Sequence, residues 1–182
     1  MSLTRRIAWV VAFQAVPVLC LASDTVRVGG EAMYPTKNIV QNAIHSKDHT
    51  TLVAAVKAAG LVETLESAGP FTVFAPTNAA FAALPEGTVS TLLKPENKET
   101  LVKVLTYHVV AGNLDGNTLM TMIRDGDGKA SLKTVAGLPL TVKMNGDNLL
   151  LEDAKGGTAN ITIKNVIQSN GVIHVIDHVL LP

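Results

Sequence analysis

The sequence predicts an α+β fold in which a mainly helical half precedes a run of antiparallel strands. Between residues 36 and 123, apolar side chains recur at helical spacing, interrupted by one short strand-like segment. After Gly128 the pattern changes to segments rich in Val, Ile and Leu, separated by glycine-containing turns. Because the strands follow the helices rather than alternating with them, the order is not that of a βαβ domain.

The helical half begins with two amphipathic segments. Apolar residues at helical spacing predict helices over Ile39–Ile44 and Leu52–Ala59, and Gly60 is well placed to end the second. A short third helix is predicted over Leu61–Leu65, and Gly69-Pro70 stops it.

The early strand, Phe71–Phe74, is bounded by prolines and leads into another helix. Thr77 or Asn78 can cap that helix, because either side-chain oxygen can accept a free backbone N–H. Three more helices are predicted downstream, around Val89–Leu93, from Pro95 to His108, and around Leu119–Ile123.

Five strands are predicted in the second half, over Ser131–Val135, Leu140–Met144, Asn148–Glu152, Ala159–Ile167 and Val172–Leu180. The pairs Asn145-Gly146 and Asn170-Gly171 suit two-residue hairpin turns that need positive φ. The last strand is too apolar to be exposed, so we expect it in the middle of the sheet. Asp177 on that strand then needs polar partners. We hypothesise that Asp177 and His108 belong to one polar network that ties the terminal strand to the helical half.

Residues 1–22 have the features of a secretory signal peptide. Arg5 and Arg6 precede a long apolar stretch, and Cys20 and Ala22 are small residues near its end. Cleavage after Ala22 would leave a secreted or periplasmic protein. Twin-arginine export, an uncleaved anchor and a lipid anchor on Cys20 are the alternatives.

The lipid anchor is disfavoured because Leu19, just before the cysteine, is bulkier than that processing prefers. Residues 23–35 are weakly patterned and are interpreted as a flexible lead-in, so the domain is expected to span residues 36–182. Since no second long apolar segment follows the leader, we expect no stable membrane insertion.

The charge balance and the cysteine content exclude several classes of function. The chain has 15 Lys and Arg against 15 Asp and Glu, and loss of Arg5 and Arg6 with the leader leaves 13 basic side chains. With the remaining lysines scattered, a nucleic-acid partner is not expected. The single cysteine lies in the leader, so the mature chain has no thiol for a disulfide, a nucleophile or a zinc site.

Motifs for catalysis or metal binding are weak. His174 and His178 have the H-x-x-x-H spacing, but on a strand they would be about 13 Å apart, too far to share a metal. The segment Asp125–Gly128 resembles the start of a calcium loop, but Lys129 and Ala136 occupy ligand positions. The chain has neither a Gly-x-Ser-x-Gly elbow nor a P-loop. We therefore expect no enzyme activity, no metal and no cofactor.

Three segments together carry a family resemblance: Thr72–Phe81, Leu105–Val110 and Asn170–Pro182. In this order and spacing they resemble the two signature stretches and the central Tyr-His pair of the fasciclin domain. The resemblance covers residues 36–182. It implies a compact wedge of about seven mainly antiparallel strands with several packed helices, in agreement with the α+β order.

The resemblance also marks candidate functional residues. Tyr107 and His108 match the pair that has been linked to partner contact in animal members, and the alternative is that both only support the fold. The other motif positions are expected to be structural: Thr72, Phe74, Pro76, Thr77, Asn78, Phe81, Gly171, His174 and Asp177.

Fasciclin-like domains typically act in adhesion outside the cell. The resemblance therefore implies a non-catalytic, secreted or periplasmic interaction module, expected to be a monomer, that binds a protein or glycan at a cell surface or matrix. The alternative is an extracellular carrier of an apolar small molecule such as a pigment or lipid. Its groove would be lined by Ile39–Ile44 and Leu52–Ala59, with the Met120–Met122 region.

Overall fold

The protein is described by a computed structural model that covers residues 25–182. The predicted signal peptide, its cleavage after Ala22 and the alternatives for Cys20 lie outside the described residues.

The predicted helices and strands follow one another in the predicted order, and an N-terminal hairpin and a short strand after Tyr107 are additional. The α-helices are α1 Ile39–Ala43, α2 Thr50–Ala59, α3 Val62–Glu66, α4 Asn78–Ala82, α5 Thr88–Leu92, α6 Lys98–Tyr107 and α7 Gly116–Asp125. The strands are β1 Arg27–Val28, β2 Glu31–Ala32, β3 Phe71–Pro76, β4 Val109–Ala111, β5 Lys129–Lys133, β6 Pro139–Asn145, β7 Asn148–Glu152, β8 Thr158–Gln168 and β9 Gly171–Ile176.

Seven of these strands form one sheet in the order β4-β3-β9-β8-β7-β6-β5. All neighbours pair antiparallel except β3 and β9, which are parallel. A bridge between Val110 of β4 and Thr134, the residue after β5, brings the two edges of the sheet together, so the sheet curls towards closure. The predicted α+β class, with about seven mainly antiparallel strands and several packed helices, is confirmed.

Strand β9 lies inside the sheet, as predicted, and all of its residues are buried. It ends at Ile176 and is therefore shorter than the predicted segment Val172–Leu180. At that point its parallel neighbour β3 also ends, and Thr77 caps helix α4. The residues after Ile176 therefore have no strand partner on that side. Hydrogen bonds from the backbone of Leu180 and Leu181 to side chains hold them in place.

The two Asn-Gly pairs lie at hairpins but are not the central turn residues. Asn145 pairs with Asn148, so the turn is Gly146-Asp147, and Gly146 takes the positive φ of 61°. Gln168 pairs with Gly171, so the second turn is Ser169-Asn170. Both turns are thus displaced by one residue from the predicted positions.

The described part of the N-terminal lead-in forms a hairpin. Strands β1 and β2 pair antiparallel, and the side chains of Val28 and Met33 are buried in the core. A Cβ on Gly29 would lie 2.7 Å from Ser46 Oγ, so the turn sits directly on the chain that follows α1. The interpretation of residues 23–35 as a flexible lead-in missed this hairpin, because two-residue strands leave no readable period.

Two groups of buried apolar side chains form the core. One lies between the sheet and helices α1, α2, α3 and α6, and includes Ile39, Leu52 and Val73. The other lies between helix α7 and strands β5 to β7, and includes Leu119 and Leu140. Helix α6 ends between the two groups, which places the Tyr-His pair at the centre of the molecule.

Candidate functional site

The Tyr-His pair is buried at the end of helix α6. Tyr107 has an exposed fraction of 0% and His108 of 3%. Neither side chain is therefore on the surface, where direct contact with a partner would place it.

His108 links helix α6 to the chain terminus. Its Nδ1 lies 2.8 Å from the carbonyl oxygen of Val104, and its Nε2 lies 3.0 Å from the backbone nitrogen of Leu180. Because a carbonyl can only accept and an amide N–H can only donate, the ring is neutral and carries its proton on Nδ1. Burial lowers the pKa of His108 to about 4, although the Val104 carbonyl and Asp153 act in the opposite direction.

Tyr107 links the same helix to the sheet. Its hydroxyl donates to the carbonyl of Pro139 at 2.9 Å and accepts the N–H of Ala154 at 3.1 Å. Burial raises the pKa of the Tyr107 hydroxyl, so it remains protonated at neutral pH. The pair thus holds helix α6, strand β6, the turn after β7 and the C-terminal segment together.

The hypothesis that Asp177 shares a network with His108 is wrong. Asp177 Oδ1 accepts the backbone N–H of Asn160 at 2.8 Å, and Oδ2 accepts the side-chain amide of Asn160 at 2.9 Å. His178 also contacts this carboxylate, at 2.8 Å. Burial raises the pKa of Asp177, but the hydrogen bonds from His178 and Asn160 outweigh it and the pKa is lowered.

The C-terminal segment is tied to the rest of the fold, but by residues other than Asp177. Beside the bond from Leu180 to His108, the backbone N–H of Leu181 donates to Asp153 Oδ2 at 3.0 Å. The other oxygen of Asp153 accepts the N–H groups of Lys155 and Gly157. Asp153 therefore fixes both its own turn and the end of the chain.

His174 has a structural position on β9. Its ring stacks on Phe74 with centroids 5.7 Å apart, and both side chains are fully buried. Nε2 donates to the carbonyl of Leu114 at 2.8 Å, and Nδ1 accepts a long bond from the N–H of Asn165 at 3.4 Å. Burial lowers the pKa of His174, so it is neutral like His108.

Strand β3 and the turn after it carry the first signature stretch. Thr72 Oγ1 donates to the carbonyl of Gly112 at 2.7 Å and accepts the N–H of Leu114 at 2.8 Å. Thr77 Oγ1 caps helix α4 by accepting the N–H of Ala80, which settles the choice between Thr77 and Asn78.

The remaining motif positions also support packing. Asn78 donates to the carbonyl of Lys47 and accepts the N–H of Thr51, so it ties helix α4 to the start of α2. Pro76 and Phe81 are buried at the end of β3 and on α4. A Cβ on Gly171 would lie 1.9 Å from the carbonyl oxygen of Phe71, so only glycine fits this pairing.

Sequence reasoning missed two buried polar anchors, Asn170 and Asp153. Asn170 Oδ1 accepts the N–H of Ile39, and Nδ2 donates to the carbonyls of Leu65 and Ser67. The sequence signal for Asn170 is the Asn-Gly pair, which by itself indicates only a turn. The signal for Asp153 was an acidic residue just before Gly156-Gly157, where a carboxylate can accept turn N–H groups.

The described residues contain little that resembles a catalytic or metal site. No group of three or more His, Cys, Asp or Glu side chains in residues 25–182 could hold a metal ion. His49 Nδ1 lies 2.9 Å from Ser46 Oγ, but both residues are buried, with exposed fractions of 3% and 1%. A substrate cannot reach that hydroxyl from solvent in this conformation.

An apolar cavity lies where the carrier alternative places its groove. It is lined by helices α1, α2 and α3, strand β3 and His108, and its volume is about 40 Å³. Met120 and Met122 pack against the other core group and do not line it. The cavity is far below the roughly 300–1,000 Å³ typical of small-molecule sites.

Among the described residues, no helix has the length and apolar character needed to cross a membrane.

The chain is similar in sequence to several known proteins. The chain is 50% identical over 144 residues to protein sll1483 of Synechocystis, a match that covers 79% of this chain and 73% of the relative. It is 36% identical over 145 residues to the immunogenic protein MPB70 of Mycobacterium bovis, covering 77% of this chain and 66% of that protein.

A solved structure shares the fold. A FAS1 domain pair from the insect cell adhesion molecule fasciclin I superposes with a TM-score of 0.56 at 21% identity, covering 71% of this chain and 43% of that chain. The family model of the fasciclin domain matches residues 47–182, which include the Tyr-His pair and both signature stretches. The chain therefore belongs to the fasciclin domain family.

Proposed function

We propose that the protein is a non-catalytic, exported interaction module that binds a protein at a cell surface or matrix. The observation that carries this proposal is that the two buried histidines of the motifs use their ring nitrogens for hydrogen bonds within the fold. The ring nitrogens of His108 and His174 are bonded to backbone groups, so these two motif histidines support the fold rather than face a substrate. We therefore place the contact with a partner on the surface of the domain.

Two exposed apolar side chains offer a contact surface. Tyr34 is 46% exposed and Ile167 is 56% exposed. Pro35, next to Tyr34, lines the same shallow depression as Ile167. Exposed aromatic and aliphatic side chains of this kind are typical anchors of protein interfaces. The name of the solved relative, a cell adhesion molecule, agrees with such a role.

The experiment is a binding measurement of labelled protein on the envelope fraction of its own host. The variant Ile167→Thr keeps a β-branched residue on strand β8 while removing apolar area, so we expect binding to weaken about tenfold. The control is Val135→Thr, because Val135 is a similarly exposed β-branched residue outside that depression. The proposal fails if the wild type does not bind, or if both variants bind as it does.

The second candidate function is carriage of an apolar small molecule. The specific observation in its favour is the apolar cavity between helices α1, α2 and α3, which has Lys57 among its lining residues. Its 40 Å³ requires these helices to move apart before a pigment or lipid fits. Native mass spectrometry of the protein isolated from its host distinguishes the candidates. An added mass that is lost on denaturation supports a carrier, and a bare chain beginning at Ser23 supports the interaction module.

A further inference from the structure

The two Asn-Gly pairs of the chain lie at hairpin turns of the sheet. Asn145-Gly146 begins the turn between β6 and β7, and Asn170-Gly171 ends the turn between β8 and β9. An asparagine that precedes glycine is chemically vulnerable, because the glycine has no Cβ to keep its backbone nitrogen away from the asparagine side chain. The surroundings of each pair therefore decide whether the two groups react in the folded protein.

The first pair is open to solvent. Asn145 is the last residue of β6, and Asn145, Gly146 and Asp147 are all exposed. A Cβ on Gly146 would meet no atom within 4 Å apart from those of its chain neighbours, so there is room for a ring to form around the glycine nitrogen. Rotation of the Asn145 backbone disturbs only its pairing with Asn148, which is the final pair of this ladder.

The second pair is buried and held by hydrogen bonds. Asn170 has an exposed fraction of 7%, and its side-chain amide is bonded to three backbone groups of helix α1 and of the end of helix α3. Gly171 lies against the backbone of Phe71, where an added Cβ would be 1.9 Å from the carbonyl oxygen. A reaction at the Asn170 side chain therefore requires these elements to separate first.

We propose that Asn145 is a modification site, at which the side-chain amide is hydrolysed through a cyclic imide while Asn170 remains intact. The Gly146 backbone nitrogen attacks Cγ of Asn145 and gives its proton to water or hydroxide. The bond from Cγ to the side-chain nitrogen then breaks, and that nitrogen leaves as ammonia. Water opens the imide ring, so the net reaction consumes a water molecule, releases ammonia and requires neither an enzyme nor a cofactor.

The two ways in which water opens the ring give different products. Attack at the side-chain carbonyl gives an aspartate with the normal backbone. Attack at the main-chain carbonyl gives isoaspartate, in which the chain runs through Cβ and Cγ and is longer by one bond. Either product adds a carboxylate near the exposed Asp147, and isoaspartate also displaces the backbone groups that pair with Asn148. The tip of the β6–β7 hairpin therefore changes in charge, and with isoaspartate also in shape, as the protein ages.

The test incubates protein purified from its host at neutral and at mildly alkaline pH, and follows its proteolytic fragments by mass spectrometry. Asn145 should gain the mass of an amide-to-acid conversion, and faster at alkaline pH because the attacking nitrogen must lose its proton. In the folded protein, Asn145 should change at least about tenfold faster than Asn170, since Asn170 reacts only after local unfolding. Fragmentation at the Cα–Cβ bond distinguishes isoaspartate from aspartate.

Two controls separate the effect of the fold from that of the Asn-Gly sequence. In urea, where both pairs are exposed, Asn145 and Asn170 should change at similar rates. Asn148 is exposed on the same hairpin but is followed by Leu149, whose side chain hinders the attack, so it should change far more slowly than Asn145. The variant Asn145→Ser should abolish the new acidic species in the folded protein.

Three results would overturn the proposal. The first is an unchanged Asn145 in the folded protein over the time in which urea-unfolded protein is converted. The second is an equal rate at Asn145 and Asn170 in the folded protein, and the third is a change that falls on Asn148 instead. Because the reaction requires no partner, none of these outcomes bears on the interaction role proposed above.

Discussion

His108 and Leu180, separated by 72 residues, are joined by a hydrogen bond of 3.0 Å between ring Nε2 and the backbone N–H. Leu180 is fully buried, although strand β9 has already ended at Ile176. The C-terminal segment is thus held by a side chain from helix α6 rather than by a sheet ladder. In the described structure the Tyr-His pair is an anchor within the fold.

Replacing His108 should destabilise the protein strongly. In His108→Leu, the Leu180 N–H loses its acceptor in a buried environment, and we expect the free energy of unfolding to fall by about 2–4 kcal/mol. Urea denaturation at pH 7.5 measures the change. His45→Leu, at an exposed histidine, is the control and should alter stability by less than about 0.5 kcal/mol. Equal stabilities of the two variants would refute the anchor.

Acid should destabilise the fold because its buried histidines are neutral. The pKa of His108 falls from 6.5 to about 4 on folding, so below pH 6.5 the unfolded chain binds a proton that the folded chain does not. The contribution of neutral His108 to the free energy of unfolding is therefore complete above pH 6.5. It is lost as the pH drops towards 4, which lowers the free energy of unfolding by about 3 kcal/mol for His108 alone. His49 and His174 act in the same direction.

Urea denaturation at a series of pH values between 7.5 and 4 measures this dependence. His108→Leu should show a shallower loss over the same range, since it lacks one of the three groups. A variant as steep as the wild type would mean that His108 does not titrate as its burial requires.

The hydroxyl of Tyr107 should contribute measurably to stability. Tyr107→Phe removes one donor and one acceptor bond while keeping the buried ring, so we expect a loss of about 1–3 kcal/mol. Tyr34→Phe is the matched control, because the Tyr34 ring is exposed and keeps its contact with Lys37. Thermal unfolding compares the two. Similar melting temperatures for the two variants would show that the Tyr107 hydroxyl does not help to anchor helix α6.

A methyl group at Gly171 should disrupt the pairing of β3 with β9. The Cβ of Gly171→Ala would lie 1.9 Å from the Phe71 carbonyl oxygen, and relief requires the two central strands to separate. We expect a loss of about 3 kcal/mol or more. Gly137→Ala is the control, because Gly137 has a φ of 79° and open space around its Cβ position, so its cost is backbone strain of about 1 kcal/mol. If Gly171→Ala lost no more stability than this control, Gly171 would not lie against the Phe71 carbonyl oxygen.

The sequence predicted the elements that have a clear period or a clear boundary. Helix α2 ends where Gly60 takes the left-handed conformation, and strand β7 has the predicted limits Asn148–Glu152. Thr77 caps helix α4 because its side chain satisfies a free N–H, a local effect that sequence alone reveals. Short elements without a period, such as strand β4 and the N-terminal hairpin, were missed.

The sequence could identify residues of the site but not their hydrogen-bond partners. Tyr107 and His108 could be singled out, but their partners Pro139, Ala154 and Leu180 contribute only backbone groups, which every residue has. The sequence suggests that Asp177 pairs with His108, because both are polar residues expected near the core. The structure pairs Asp177 with Asn160 instead, since β8 lies next to β9 and places that amide beside the carboxylate.

Hydrogen exchange at the Leu180 amide tests directly whether His108 anchors the C-terminal segment inside the fold. In the wild type, this amide should exchange as slowly as the amides of strand β9, and in His108→Leu it should exchange far faster than they do. Rapid exchange of the Leu180 amide in the wild type, at the rate of an unprotected chain end, would show that His108 does not hold this segment.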